Sequence, residues 1–180
     1  MQTVADVVKW GRSSNKRCNE RICKEMSKKT NILFICHGNI CRSTMAEFVF
    51  KDMVNKLGRA SEFHIQSAAT SREAIGSDTH YGTKDVLTEK GIPFTKRKAV
   101  QVTGDDYYKY DYLICMDQNN LRNLDRIIGD DSAKKVHLLL EYAGMNRDIS
   151  DPWYTGNFDA TYRDIVMGCE ALLVKISDKN

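Results

Sequence analysis

The stretch NILFICHGNICRST, residues 31–44, decides how this chain folds and points to where its chemistry lies. From Ile32 to Cys36 it is apolar without interruption, as in a strand buried on both faces at the centre of a parallel sheet; a strand with one wet face would alternate. The next eight positions crowd in a second cysteine, a glycine, an arginine and two hydroxyls. After them Ala46, Val49, Phe50, Met53, Val54 and Leu57 recur at the spacing of one helical face, and Gly58 follows as a natural stop. The unit reads strand, loop, helix.

The alternation continues outward. FHIQSA (63–68) and YDYLICM (110–116) predict strands, and VHLLL (136–140) predicts a short one. YGTKDVLTEKG (81–91), ended by Gly91, and NNLRNLDRII (119–128) predict helices. The last helix carries Phe158, Tyr162, Ile165, Val166, Cys169, Leu172, Leu173 and Ile176 on one stripe. Strands alternating with helices form right-handed βαβ units. The expected fold is therefore α/β: an open, four-stranded parallel sheet with helices on both faces and a phosphate-binding loop after the first strand.

A chain of 180 residues is long enough for one domain with its own core. Its basicity is uneven. The first 30 residues carry eight Lys or Arg against three acids, leaving nineteen against twenty-one for the remainder, so the net charge of +3 belongs to the front. We expect residues 1–29 to form a basic N-terminal extension and 30–180 the functional domain, with Met26 as an alternative start. Val4, Val7, Val8 and Trp10 would dock the extension if it forms a helix, and an amphipathic targeting peptide is a further reading. A short basic run is usually solvated, so no nucleic-acid partner is expected. No stretch reaches the roughly 18 to 20 apolar residues of a membrane span, and the expected location is cytoplasmic. Nothing in the sequence sets an oligomeric state.

Residues 36–43 sit at the carboxyl end of the first strand, where ligands bind in open α/β sheets. A tight loop opening a helix presents backbone N–H groups and a positive dipole end, which suits an anion. It lacks the lysine and second glycine of a nucleotide-binding P-loop, which excludes that reading. Five residues separate Cys36 from Arg42, enough to bring a thiol and a guanidinium around one phosphate. Arg42 could grip two oxygens while the backbone of His37, Gly38, Asn39, Ile40 and Cys41 holds others, with the sulfur in line with the ester oxygen. The same amides, with Ser43, would favour the thiolate. Expelling an alkoxide or phenolate calls for a proton donor, and DISDPWYTGN (148–157) offers Asp151, with Trp153 and Tyr154 as rings for the pocket entrance.

Taken together, ILFICHGNICRS and DPWYTG make the chain resemble the low-molecular-weight protein tyrosine phosphatases over about residues 30–177. The resemblance implies hydrolysis of phosphotyrosine in protein substrates through a phosphocysteine. Cys36 would be the nucleophile, Arg42 the phosphate clamp and Asp151 the general acid. It further implies that Ser43 helps hold the thiolate and that Asn39 shapes the loop with Ser67 as partner; no cofactor or metal is implied. Thr44 stands where the family usually has proline, KRKAVQ (96–101) does not carry the histidine and arginine at the places where the family often has them, and Glu73 replaces the pocket-wall tryptophan of animal members. The likeness is closer to bacterial members.

Six cysteines, four of them in a well-cored domain, do not make a disulfide scaffold. Cys115 and Cys169 fall on a strand and a helical stripe, as packing residues. Cys41 could fill the loop or act as redox partner of Cys36, trapping its sulfenic acid as a disulfide. Three competing readings are a zinc module from Cys18, Cys23, Cys36 and Cys41, an arsenate-reductase-like redox enzyme, and a silent phosphotyrosine binder. The redox enzyme would need further cysteines between Cys41 and Cys115, where there are none, and having both Cys36 and Asp151 argues against the silent binder.

Overall fold

The computed structural model describes residues 29–178; Val4 to Trp10, Cys18 and Cys23 lie outside the described residues. Four parallel strands form the sheet: β1 (Thr30–Cys36), β2 (Phe63–Ala69), β3 (Tyr112–Cys115) and β4 (Val136–Leu138), in the order β2-β1-β3-β4. β1 is interior. It pairs in register with β2 from Thr30↔Phe63 to Cys36↔Ala69, and with β3 from Ile32↔Tyr112 to Ile35↔Cys115.

Alternation along β1 builds two cores. Ile32, Phe34 and Cys36 face one side, where they meet helices α1 (Arg42–Lys56), α2 (Tyr81–Glu89) and α6 (Phe158–Ser177) through Met45, Val49, Phe50, Val86, Leu87, Ile165, Cys169 and Leu172. Leu33 and Ile35 face the other, packing with Tyr107 of α3 (Asp106–Lys109) and Leu124 of α4 (Gln118–Ile128). The apolar run is thus buried on both faces, and helices cover both faces of the sheet. Among the described residues no helix is long and apolar enough to cross a membrane.

Two expectations need correction. VHLLL is not strand throughout: only Val136–Leu138 pairs with β3, and Leu139–Ala143 turns into a 3-10 helix that buries Leu139 and Leu140. β3 ends at Cys115, the partner of Leu138, so no strand remains to pair with Leu139, and the two leucines gain more by packing on α6. Gly168 is the contact point, where a Cβ would stand 2.5 Å from the Leu139 side chain. Leu57 also leaves the apolar face of α1, being 59% exposed just past the helix end, where Gly58 takes φ +69°.

Candidate active site

The loop from Cys36 to Ser43 is held from outside by its carbonyls. Cys36 O accepts from Thr70 N at 2.9 Å, His37 O from Ser71 N at 3.0 Å and Ile40 O from His80 N at 2.8 Å. Cys41 O accepts from Met45 N at 3.0 Å and from the Thr44 hydroxyl at 2.8 Å, and Asn39 O from Arg97 Nη1 at 3.5 Å. No described peptide is cis. A trans peptide sets each carbonyl opposite the N–H of the next residue. Pinning these five carbonyls to the scaffold therefore turns the N–H groups of His37, Gly38, Ile40, Cys41 and Arg42 toward the loop interior, a cradle for an anion.

Within it, Cys36 Sγ lies 3.0 Å from Ser43 Oγ and accepts from Asn39 N at 3.3 Å. Asn39 adopts a left-handed backbone, φ +56°, a region an asparagine tolerates better than most residues. Its Nδ2 donates to Ser43 Oγ at 2.9 Å and Ser67 Oγ at 2.8 Å. The Asn39–Ser67 pairing expected from the sequence is present, and Thr44, in place of proline, ties back to Cys41.

Arg42 is fixed at the loop exit. Its Nη1 donates to Asp117 Oδ2 at 2.5 Å and to Ile149 O at 3.0 Å, and its Nη2 to Asp151 Oδ2 at 2.5 Å. The side chain is 3% exposed, and Nε is buried without a hydrogen-bond partner. Burial works against its charge, but neighbouring Cys36, Asp151 and Asp117 outweigh that and raise its pKa above the ordinary arginine value. The guanidinium stays charged with two of its five N–H groups unspent, on Nε and Nη2, as expected of a group awaiting an anion.

Asp151 opens the four-residue helix α5 (Pro152–Thr155), its Oδ1 accepting from Trp153 N at 3.1 Å. Proline at the first helical position suits that start, since its missing N–H would have had no partner there. Trp153 and Tyr154 are 60% and 83% exposed. Both line a cavity of about 210 Å³, together with Asp151, Glu73, Ala74 and the loop residues His37, Gly38, Ile40, Cys41, Cys36 and Arg42. Glu73, in the position noted for departing from animal members, pairs with His37 Nε2 at 2.9 Å on this rim.

The two loop thiols differ. Cys41 is buried, and its pKa is pushed up to about 12 by desolvation, then by the charges of Cys36 and Asp151, against the pull of Arg42. Cys41 is a neutral thiol and no rival as nucleophile. Cys115 and Cys169 are fully buried with thiol pKa raised by desolvation, in keeping with packing.

Sequence reasoning missed Asp117, Glu47 and Arg97. Asp117 looks like an ordinary helix cap, and it is one: its Oδ1 accepts from Asn120 N at 2.6 Å while Oδ2 holds Arg42. Its one visible signal was an acid directly after a buried strand, at the same sheet edge as the loop. Glu47 accepts from Ser67 Oγ at 2.5 Å and pairs with Lys51 Nζ at 2.5 Å. The segment 96–101, noted for what it lacks, supplies Arg97, whose Nη2 donates to Asn39 Oδ1 at 2.9 Å and Ser67 O at 3.2 Å.

Comparison with known proteins agrees with this geometry. A sequence model described as "Low molecular weight phosphotyrosine protein phosphatase" matches residues 31–180. The low molecular weight protein-tyrosine-phosphatase YfkJ of Bacillus subtilis is 38% identical over 148 residues, covering 81% of this chain and 95% of that protein. The Schizosaccharomyces pombe low molecular weight phosphotyrosine protein phosphatase is 40% identical over 135 residues, 73% and 86% of the two chains. The crystal structure of YfkJ superposes with a TM-score of 0.82 at 36% identity, covering 86% of this chain and 98% of that one.

Proposed function

Because this chain belongs to the low molecular weight phosphotyrosine protein phosphatase family, a group of cysteine-based protein tyrosine phosphatases, we propose that Cys36, Arg42 and Asp151 divide its reaction among them. The observation that carries this is the inward-turned loop closed by a buried arginine with a free Nε, with one thiol inside it and a carboxylate at its mouth.

A phosphotyrosine enters ring-outward between Glu73 and Ala74 on one side and Trp153 and Tyr154 on the other. The phosphate oxygens accept from the backbone N–H groups of the loop and from Arg42 Nε and Nη2. In taking Nη2 the phosphate replaces Asp151, whose Oδ2 is then free at the leaving oxygen. The Cys36 thiolate attacks phosphorus in line, an S–P bond forms, the P–O bond breaks, and protonated Asp151 gives its proton to the departing phenolate. The resulting Asp151 carboxylate then takes a proton from water, whose oxygen attacks phosphorus, breaking the S–P bond and releasing inorganic phosphate and the thiolate. Arg42 stabilises the charge on the equatorial oxygens in both steps.

Depth supports aryl phosphates over phosphoserine as substrates: the sulfur is nearly buried at the foot of the cavity, and a tyrosine ring spans the distance that a serine does not. A nucleophile that must stay reduced supports a cytoplasmic setting. The deciding experiment is hydrolysis of a chromogenic aryl phosphate with excess chelator. The wild type is expected to turn over and Cys36→Ser to be inactive while still binding vanadate; turnover by a clean Cys36→Ser protein, or loss of wild-type activity to the chelator, would overturn the assignment.

We also propose that Cys41 protects this thiolate. Peroxide converts the Cys36 thiolate to a sulfenic acid with release of hydroxide. That step removes the Cys36 charge that helps hold the Cys41 thiol protonated, and Cys41 sulfur can then displace water from the sulfenic acid to give a disulfide. Peroxide inactivation reversed by dithiothreitol, with rescue largely lost in Cys41→Ser, is the expected result; equal rescue would return Cys41 to a packing role.

A further inference from the structure

Arg97 touches neither the cavity nor Arg42, yet it reaches the residue on which the loop turns. The Asn39 side chain makes four hydrogen bonds, and their directions are not free. Oδ1 faces two donors, Arg97 Nη2 at 2.9 Å and Val100 N at 3.2 Å. A guanidinium and a backbone N–H can only donate, so the atom between them must be the amide oxygen. Nδ2 then faces the hydroxyls of Ser67 and Ser43 at 2.8 and 2.9 Å, and both must accept from it. Ser67 passes its own proton to the Glu47 carboxylate at 2.5 Å, an acceptor-only group pinned by Lys51. Ser43, which accepts from Asn39 on one lone pair, keeps its O–H for Cys36 Sγ at 3.0 Å, and as a thiolate that sulfur can only accept.

We infer that Arg97 is a positioning residue for the phosphatase reaction, fixing the direction of the hydrogen bonds around Asn39 so that Ser43 donates to the Cys36 sulfur. The network is ordered because it starts on donor-only groups, Arg97 and the Val100 amide, and ends on acceptor-only ones, the Glu47 carboxylate and the Cys36 thiolate. Were the Asn39 amide turned over, Ser43 would be asked to donate to it, and its proton would leave the sulfur. Arg97 is suited to the task by placement: its side chain is 13% exposed, 3.8 Å from Glu47, and a second bond to Ser67 O fastens the 96–101 segment to the same spot.

This inference rests on Cys36 being the nucleophile, and the test separates the two. Cys36 reactivity is read as the rate of alkylation by iodoacetate at pH 6, with and without inorganic phosphate, alongside kcat and KM on an aryl phosphate. Wild type is expected to alkylate fast and to be protected by phosphate; no protection would sink the nucleophile assignment itself. Arg97→Met, which keeps the bulk and loses the donors, is expected to slow alkylation and kcat about ten-fold with little change in KM, while Arg97→Lys, still donor-only, stays within about three-fold of wild type. Ser43→Ala supplies the control for mere loosening of the fold. If Arg97 acts through Ser43, adding Arg97→Met to Ser43→Ala changes the alkylation rate by less than about two-fold, whereas an independent structural effect would multiply. A phosphate-protected wild type with multiplicative losses, or with an Arg97→Met protein that alkylates at the wild-type rate, would overturn the role of Arg97 alone.

Discussion

Asp117 and Asp151 do the same local job at two ends of the site. Each caps a helix with Oδ1 and holds Arg42 with Oδ2, at 2.5 Å in both cases. What differs is what lies behind them. Asp117 leads the eleven-residue α4, anchored in the core by Leu124, and its side chain is 12% exposed. Asp151 leads the four-residue α5, whose two aromatic rings stand in solvent, and it is 21% exposed. In the proposed mechanism the deeper acid is a fixed tether for the guanidinium, and the shallower one holds it only until phosphate arrives. On that reading one side chain chemistry yields an anchor or a proton donor according to the length and burial of the element that carries it.

Substitutions can break or sharpen that contrast. The largest effect is expected at the shared partner: Arg42→Lys loses the planar grip on phosphate and both acids, and kcat/KM on phosphotyrosine should fall about 10³- to 10⁵-fold, the range for an arginine that stabilises a phosphoryl transfer. Near-normal kcat/KM would remove the clamp and with it the comparison. Next comes Asp151→Asn, which keeps the cap because asparagine caps as well as aspartate. Its kcat should drop about 10²- to 10⁴-fold on phosphotyrosine and much less on an activated nitrophenyl ester, which needs no proton to depart. Asp117→Asn, conservative in the same way, should cost about ten-fold, roughly 1.4 kcal/mol, with an equal loss on both esters. A leaving-group dependence at Asp117, or none at Asp151, would exchange or erase the two roles.

A smaller effect is expected at Trp153→Ala, which strips a wall from the exposed end: about a 3- to 10-fold rise in KM for a phosphotyrosine peptide, and a comparable rise for a small aryl phosphate, whose ring lies between the same walls. Smallest of all is removal of residues 1–25, leaving Met26 first. Since every group named in the site lies beyond it, kcat/KM should stay within about three-fold, the scale of changes remote from the chemistry. A collapse in rate or solubility would show that the extension docks on the domain.

The same contrast explains what the sequence could and could not disclose. β1, its loop and α1 were legible because their signals are local: an unbroken apolar run, then reactive residues within eight positions, then a 3.6-residue stripe. Asp151 was legible through its proline and its neighbouring rings. Asp117, Glu47 and Arg97 were not, because their bonds to Arg42, Ser67 and Asn39 span 75, 20 and 58 residues, and such contacts leave no period to read. Asp117 was hidden further by its own cap, an ordinary role that conceals the second one. VHLLL misled for the opposite reason: an apolar run records burial, and burial is as compatible with a 3-10 turn under α6 as with a strand.

β1, flanked by parallel partners and buried on both faces, ends in Cys36. Elements so placed exchange their amide protons last and open only when the whole domain does, whereas a four-residue helix at the surface frays in small, frequent excursions. The proposed nucleophile is therefore seated on the part of the molecule with the highest free energy of opening, and the proposed proton donor on one of the cheapest to open. Mild denaturant or warming will then degrade the enzyme in two stages, with protonation of the leaving group faltering first while the loop still binds phosphate, and phosphate binding persisting until the sheet itself gives way.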